Sequence, residues 1–159
     1  KISAVIERLS TFQAVSGRGE VKHFHHQGMP ITVHDEAYNA NPLSMGMALE
    51  TFASLPVQAD EKLVILGDML ELGEEADTLH LHLAPHISAV GARRVLLCGL
   101  LCQTLVPALG GEANGVFHYP NVVALKEALV QHLRPSDNVL VKASHGVGLY
   151  SLFADSSRD

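Results

Sequence analysis

Three short apolar runs, Leu63-Val64-Ile65-Leu66, Val95-Leu96-Leu97-Cys98 and Val139-Leu140-Val141, constrain the fold of this chain more than any other feature. None alternates with polar residues, so each reads as a strand buried on both faces, the habit of strands in a parallel sheet with helices on either side. Between them lie apolar residues at helical spacing: Leu79, Leu83, Ile87 and Val90 after the first run, Val122, Leu125 and Leu129 before the third. Strands alternating with helices imply right-handed crossovers and parallel pairing. At the N-terminal side, residues 21–27 and 31–34 flank Gly28-Met29-Pro30 and read as two antiparallel strands joined by a short turn. With 115–119 as a further strand, the expected fold is α/β: a Rossmann-like open sheet of about six strands, mostly parallel with an antiparallel N-terminal hairpin strand, helices on both faces. Helices are expected over 1–9, 42–55, 76–90 (kinked or broken at Pro85), 100–109 and 122–132, and residues 156–159 are expected to fray.

The polar chemistry gathers in one stretch, His34-Asp35-Glu36-Ala37-Tyr38-Asn39-Ala40-Asn41-Pro42. It follows the apolar run Ile31-Thr32-Val33 and precedes Met45, Ala48, Leu49 and Phe52 at helical spacing, so it is a strand-to-helix loop. Asn41 stands where an N-cap belongs and Pro42 at the first helical position, where its missing N–H costs nothing. In a parallel sheet such a loop lies at the carboxyl ends of the strands, where ligands bind. Two acids, a phenol and two carboxamides suit a sugar hydroxyl, a purine edge or a peptide backbone. The same residues are also ordinary turn formers, and local composition leaves both readings open.

Two further loops leave the same edge. Gly67-Asp68-Met69-Leu70-Glu71-Leu72-Gly73 follows the first apolar run, and Lys142-Ala143-Ser144-His145-Gly146 follows the last. The acids of the former serve equally as helix-start charges, and Lys142 equally as a lysine reaching for water. Gly17-Arg18-Gly19-Glu20 makes a tight turn that projects Arg18. Alternation puts His23 and His25 on one strand face and His26 on the other, against a single metal site. His82 and His86 lack further ligands at helical spacing, and Cys98 and Cys102 read as buried small apolar residues.

A chain of 159 residues with a net charge of −6 and no Lys/Arg-rich run is one domain without an obvious nucleic-acid partner. No stretch has the length and apolarity of a membrane span, and two cysteines suit a reducing, cytoplasmic setting.

Asp35-Glu36-Ala37-Tyr38-Asn39-Ala40-Asn41-Pro42 resembles the hallmark of the C-terminal domain of Mur ligases. Leu66-Gly67-Asp68-Met69-Leu70-Glu71-Leu72-Gly73 with His80 is similar to the branch that adds D-alanyl-D-alanine to UDP-N-acetylmuramoyl-tripeptide in peptidoglycan synthesis. Gly17-Arg18 with Glu20, and Lys142 with Ser144, match two more family segments in order. The resemblance implies one domain over 1–159, the last of three, whose N-terminal and central domains are partners absent from this sequence. It implies an ATP-dependent ligation through an acyl phosphate, with ATP and Mg bound mainly by the central domain. It places Arg18, Asp35, Glu36 and Asn39 toward the nucleotide, and Tyr38, Asn41, Lys142, Ser144 and His145 toward the incoming dipeptide. Asp68, Glu71 and His80 are weaker candidates for the same cleft. Because Gly-x-x-x-x-Gly-Lys-Ser/Thr does not occur, the chain alone is expected to be inert. The departures are His34 and Glu36, where an apolar residue and Asp are usual, Ala143 for Gly, and His145 for Arg, which lacks the guanidinium fork. A flavodoxin- or receiver-like binding module, with Asp68 and Lys142 in receiver positions, and a folylpolyglutamate-synthase-like ligase domain are the alternatives.

Overall fold

The computed structural model describes residues 19–158; Arg18 and the helix expected over 1–9 lie outside the described residues. The strands are β1 (Glu20–His26), β2 (Met29–Glu36), β3 (Lys62–Gly67), β4 (Arg94–Cys98), β5 (Val116–Tyr119), β6 (Asn138–Lys142) and β7 (Ser157–Arg158). They form one sheet in the order β5-β4-β3-β6-β2-β1-β7. β2, β6, β3, β4 and β5 run parallel, and β1 is antiparallel to β2. The α-helices are α1 (Pro42–Ala53), α2 (Ala76–Leu81), α3 (Ala84–Val90), α4 (Leu105–Leu109) and α5 (Val122–Ala128).

Every residue of β3 is buried, as its unbroken apolar run requires. Leu63 and Ile65 face a core completed by Leu125 and Leu129, with Leu152 and Phe153 from the C-terminal segment. Val64 and Leu66 face the other core, against Met45, Leu49 and Phe52 of α1 and Ile87 of α3. Lys62, buried at the base of β3, donates to the Ala53 carbonyl at 2.8 Å and so closes the C-terminal end of α1.

Three local expectations shift, and the break expected in the 76–90 helix is found. The hairpin turn is Gln27-Gly28, not 28–30: both residues have positive φ, 49° and 82°, as a two-residue turn matched to strand twist demands. Met29 and Pro30 already pair with His26 and His25. Residues 157–158 do not fray but pair with His25 and Phe24, because Phe153 stacks on Phe24 (centroids 5.8 Å apart, 14° between planes) and returns the chain to the free edge of β1. His26 is thereby buried and bonded to Ser156 Oγ at 2.8 Å, while His23 and His25 face solvent. The 76–90 helix breaks after Leu81 and restarts at Ala84 with Pro85 in its first turn. The helix expected over 100–109 is a 3-10 turn (Cys102–Thr104) followed by the short α4.

A buried polar knot ties β4 to the start of β6, at the edge away from the candidate loops. Arg93 donates to both carboxylate oxygens of Asp137, and Arg94 Nη1 donates to His132 Nδ1 at 2.7 Å. A guanidinium only donates, so Nδ1 accepts and the proton sits on Nε2, which donates to Tyr119 Oη at 2.6 Å. Burial, then the charges of Arg94 and Arg93, push the imidazole down to about 4. The unfolded chain therefore takes up this proton first: the contribution of neutral His132 is complete above pH 6.5 and is lost as pH falls toward 4. The loss totals about 3 kcal/mol. Urea unfolding from pH 7.5 to 5 is expected to show a steeper stability loss in the wild-type chain than in His132→Gln. Parallel pH slopes would remove His132 as the cause.

Candidate functional site

β2 and β6 end side by side: parallel register sets Glu36 against Lys142, and Lys142 against Leu66 of β3. The loops after all three strands leave one edge of the sheet. Lys142 has a side chain only 3% exposed, yet its Nζ finds two partners, donating to the Asn39 carbonyl at 2.9 Å and lying 3.5 Å from Glu36 Oε2. Burial lowers its pKa and the Glu36 carboxylate works against that shift. The β2 loop is thus pinned from β6 through a main-chain carbonyl.

Asp35 braces the same loop from the other face. Its Oδ1 accepts the Ala37 N–H at 3.1 Å and its Oδ2 accepts Lys22 Nζ at 2.5 Å. Burial opposes the Lys22 charge, but hydrogen bonds to Asp35 and Glu20 outweigh it and raise the lysine. The Gly19 N–H donates to the Asp35 carbonyl at 3.0 Å. Gly19 has φ +82°, and a Cβ there would lie 3.3 Å from Glu36 Oε1, so glycine is what this approach allows. The residue that follows Arg18 therefore stands at the rim, beside Glu36.

Asn41 is the N-cap of α1: its Oδ1 accepts the Ser44 N–H at 2.8 Å, and Ser44 Oγ accepts the Asn41 N–H at 3.1 Å. Its carbonyl oxygen is therefore committed to the helix. Asn41→Ala is expected to cost about 1 kcal/mol, a thermal midpoint lower by roughly 2–4 °C by calorimetry; an unchanged midpoint would refute the cap.

The remaining loops are knitted beneath the rim. The Ser144 N–H donates to the Asp68 carbonyl at 3.1 Å, and Ser144 Oγ accepts the Leu70 N–H at 2.9 Å. A Cβ on Gly67 would meet Ala143 Cβ at 2.7 Å, so the β3 and β6 exits touch only because Gly67 has none. Asp68 points inward, accepting the Cys102 N–H at 2.8 Å and the Leu101 N–H at 3.3 Å. A receiver phosphoacceptor needs an exposed carboxylate, and Asp68 is 7% exposed. His80 is fully buried; its Nε2 accepts the Met69 N–H at 2.9 Å, so Nδ1 carries the proton and donates to the Ala76 carbonyl at 2.7 Å. Glu71 lies at the surface with φ 64°.

Ligand-type atoms of Asp68, His80 and Cys102 fall within 4.8 Å of one another, a grouping that spans three elements and left no trace in the sequence. The Asp68 and His80 atoms already accept amide protons, and burial followed by the Asp68 charge pushes the Cys102 thiol well up. The trio is a hydrogen-bonded staple that fixes the loop above it.

Asp35, Glu36, Tyr38, Asn39, Lys142, Ser144 and His145 thus share one edge, with Asp68 and His80 packed under it. A cleft of about 490 Å³ opens from this edge along α1 and β2, with Gly19, Glu36 and Lys142 at its polar end and Met47, Phe52 and Leu140 along its wall. Two participants escaped the sequence reading. Lys22, the partner of Asp35, shares the inward face of β1 with Phe24 and His26, and a lysine there signals a buried carboxylate. Tyr150, stacked on His145 at 4.7 Å, gives no local signal.

The glutamate ligase domain of the Mur ligases matches residues 17–145. The UDP-N-acetylmuramoyl-tripeptide–D-alanyl-D-alanine ligase of Rickettsia prowazekii is 37% identical over 112 residues, 70% of this chain and 24% of that protein. The Bacillus subtilis protein of the same name is 32% identical over 127 residues, 79% of this chain and 28% of its own. Among solved structures, MurF from Acinetobacter baumannii superimposes with a TM-score of 0.79 at 22% identity, over 98% of this chain and 33% of that one. MurF from Thermotoga maritima, solved in complex with ADP, gives 0.70 at 20%, over 95% and 35%. The chain spans about a quarter of the length of these two curated relatives. The solved structures agree with the fold, the matched segment contains the strand-end loops, and the chain belongs to the Mur ligase family as its C-terminal domain.

Proposed function

We propose that this domain is the closing wall of a cytoplasmic, ATP-dependent ligase that joins D-alanyl-D-alanine to UDP-N-acetylmuramoyl-tripeptide in peptidoglycan synthesis. N-terminal and central domains would complete the cleft, and residues 1–159 alone would be inert. The observation that carries the reading is the convergence of Glu36, the Asn39 carbonyl and Lys142 at the mouth of one cleft. Similarity to ligases of that substrate pair supports it.

The rim suits a nucleotide. The Glu36 side chain is 31% exposed and accepts hydrogen bonds only, which matches ribose hydroxyls, and Arg18 immediately precedes Gly19, the residue that lies against Glu36. ATP, when bound, supplies the phosphoryl group that activates the donor carboxylate. The rim does not suit Mg²⁺: both Asp35 oxygens are taken by Lys22 and the Ala37 amide, leaving Glu36 without a second free carboxylate beside it. Metal binding is therefore assigned to the central domain. In this chain Asp35 and Lys142 hold the loop in shape, and Tyr38, Ser144 and His145 face the incoming dipeptide. Asn41 sets the start of α1 and offers its amide nitrogen to the same side. Glu71 sits at the outer lip, while Asp68 and His80 act through the loop that they staple. Closure of such a wall excludes water, which would otherwise compete with the amine for an acyl phosphate.

The test is ADP release by the protein that carries this domain with its upstream residues. Release is expected to require both the UDP-linked tripeptide and D-alanyl-D-alanine, and to be absent when residues 1–159 are supplied alone. Ligation by residues 1–159 alone, or turnover only with another amine, would overturn the proposal.

A further inference from the structure

At the rim, three aromatic rings stand in contact. The rings of His145 and Tyr150 are stacked, 4.7 Å between centroids and 11° between planes, and the Tyr38 ring is tilted against His145 at 5.2 Å and 50°. They come from separate segments, the β2 loop and the two short 3-10 turns after β6. Tyr38 is 45% and Tyr150 58% exposed, so core burial does not account for where these rings sit. Among the described residues, no hydrogen bond reaches either ring nitrogen of His145. The neighbouring polar groups are committed: Lys142 to Asn39 and Glu36, and Ser144 Oγ to the Leu70 amide.

A guanidinium brings its own planar fork to a carboxylate, whereas an imidazole offers one N–H per edge and must be aimed by its surroundings. Stacking supplies that aim, because a face-to-face ring fixes the plane in which the nitrogens point. We propose that Tyr150 is a positioning residue of the acceptor subsite: stacked on His145, it holds the imidazole as hydrogen-bond donor to the carboxylate of the incoming peptide. The inference rests on the ligase reading above and adds to it the residue that orients the acceptor.

The test uses the protein that carries this domain with its upstream residues. Tyr150→Ala is expected to raise KM for D-alanyl-D-alanine by roughly 3–10-fold, the worth of one aromatic pair, with kcat and KM for ATP within about twofold. Tyr150→Phe, which keeps the ring, is expected to stay near wild type. In a His145→Arg background the same Tyr150→Ala change is expected to leave KM for the dipeptide within about twofold, because the guanidinium no longer depends on the stack. Equal losses in all three constants, an effect on ATP alone, or an undiminished effect in the Arg background would overturn the assignment and leave the ligase reading intact. Failure of the wild-type protein to ligate the dipeptide would instead bring down the reading, and this inference with it.

Discussion

Replacing Lys142 with methionine is expected to lower kcat/KM for ligation about 100-fold in the protein that carries this domain, while the thermal midpoint moves only a few degrees. The side chain is 3% exposed and bonded to the Asn39 carbonyl at 2.9 Å, with Glu36 3.5 Å away. Removing one partner of a buried pair costs about 3–5 kcal/mol, and the lower end applies because water reaches Glu36. About 3 kcal/mol corresponds to about two decades in rate. The loss falls on activity because the anchored residues are Tyr38 and Asn39, exposed between the core residues Ala37 and Ala40, and a released loop has to be ordered again at each closure. Lys142→Arg is expected to restore little, since the slot fits a compact ammonium and not a planar fork. Steady-state kinetics within threefold of wild type would show that the anchor is dispensable.

Asp137→Ala is expected to give the largest loss of stability, about 3–5 kcal/mol, seen as a midpoint lower by roughly 10 °C. Asp137 is 1% exposed; it accepts Arg93 Nη2 at 3.0 and 2.7 Å and the Arg134 N–H at 2.7 Å. Without it the Arg93 guanidinium, its side chain 11% exposed, is left charged with no counter-ion and only the Asp60 and His132 carbonyls to donate to. Pairing the change with Arg93→Met is expected to recover part of the loss, because the stranded charge goes too. A single-variant shift below about 3 °C by calorimetry, or no recovery in the double variant, would show that the knot contributes little.

How much of this was legible in the sequence depends on the range of the interaction. The strand after Lys62 is written in five consecutive residues and the hairpin in two runs around Gly28, so both are recovered to within a residue or two. The cap of α1 is local as well: Asn41, Pro42 and Ser44 are enough to specify it. The loop 34–42 was legible as a candidate site because its polar residues sit between a strand pattern and a helix pattern. The partners of those residues were not. Lys22 reaches Asp35 across a hairpin, and Lys142 reaches Asn39 across 103 positions. Asp68 and Glu71 look alike in sequence, each an acid in a polar loop, yet one is buried on two amides and the other lies at the surface.

By itself, then, the sequence determined most of the elements, the face that each of these buries and the edge at which the polar loops emerge, because periodicity and capping are properties of neighbours along the chain. Tertiary structure alone decided the order β5-β4-β3-β6-β2-β1-β7, the return of Ser157 and Arg158 to β1, the inward turn of His80 and the stacking of Tyr150 on His145. Each of those depends on which distant surfaces meet when the two cores close. That is settled by the summed burial of many side chains, and no single stretch of residues carries it.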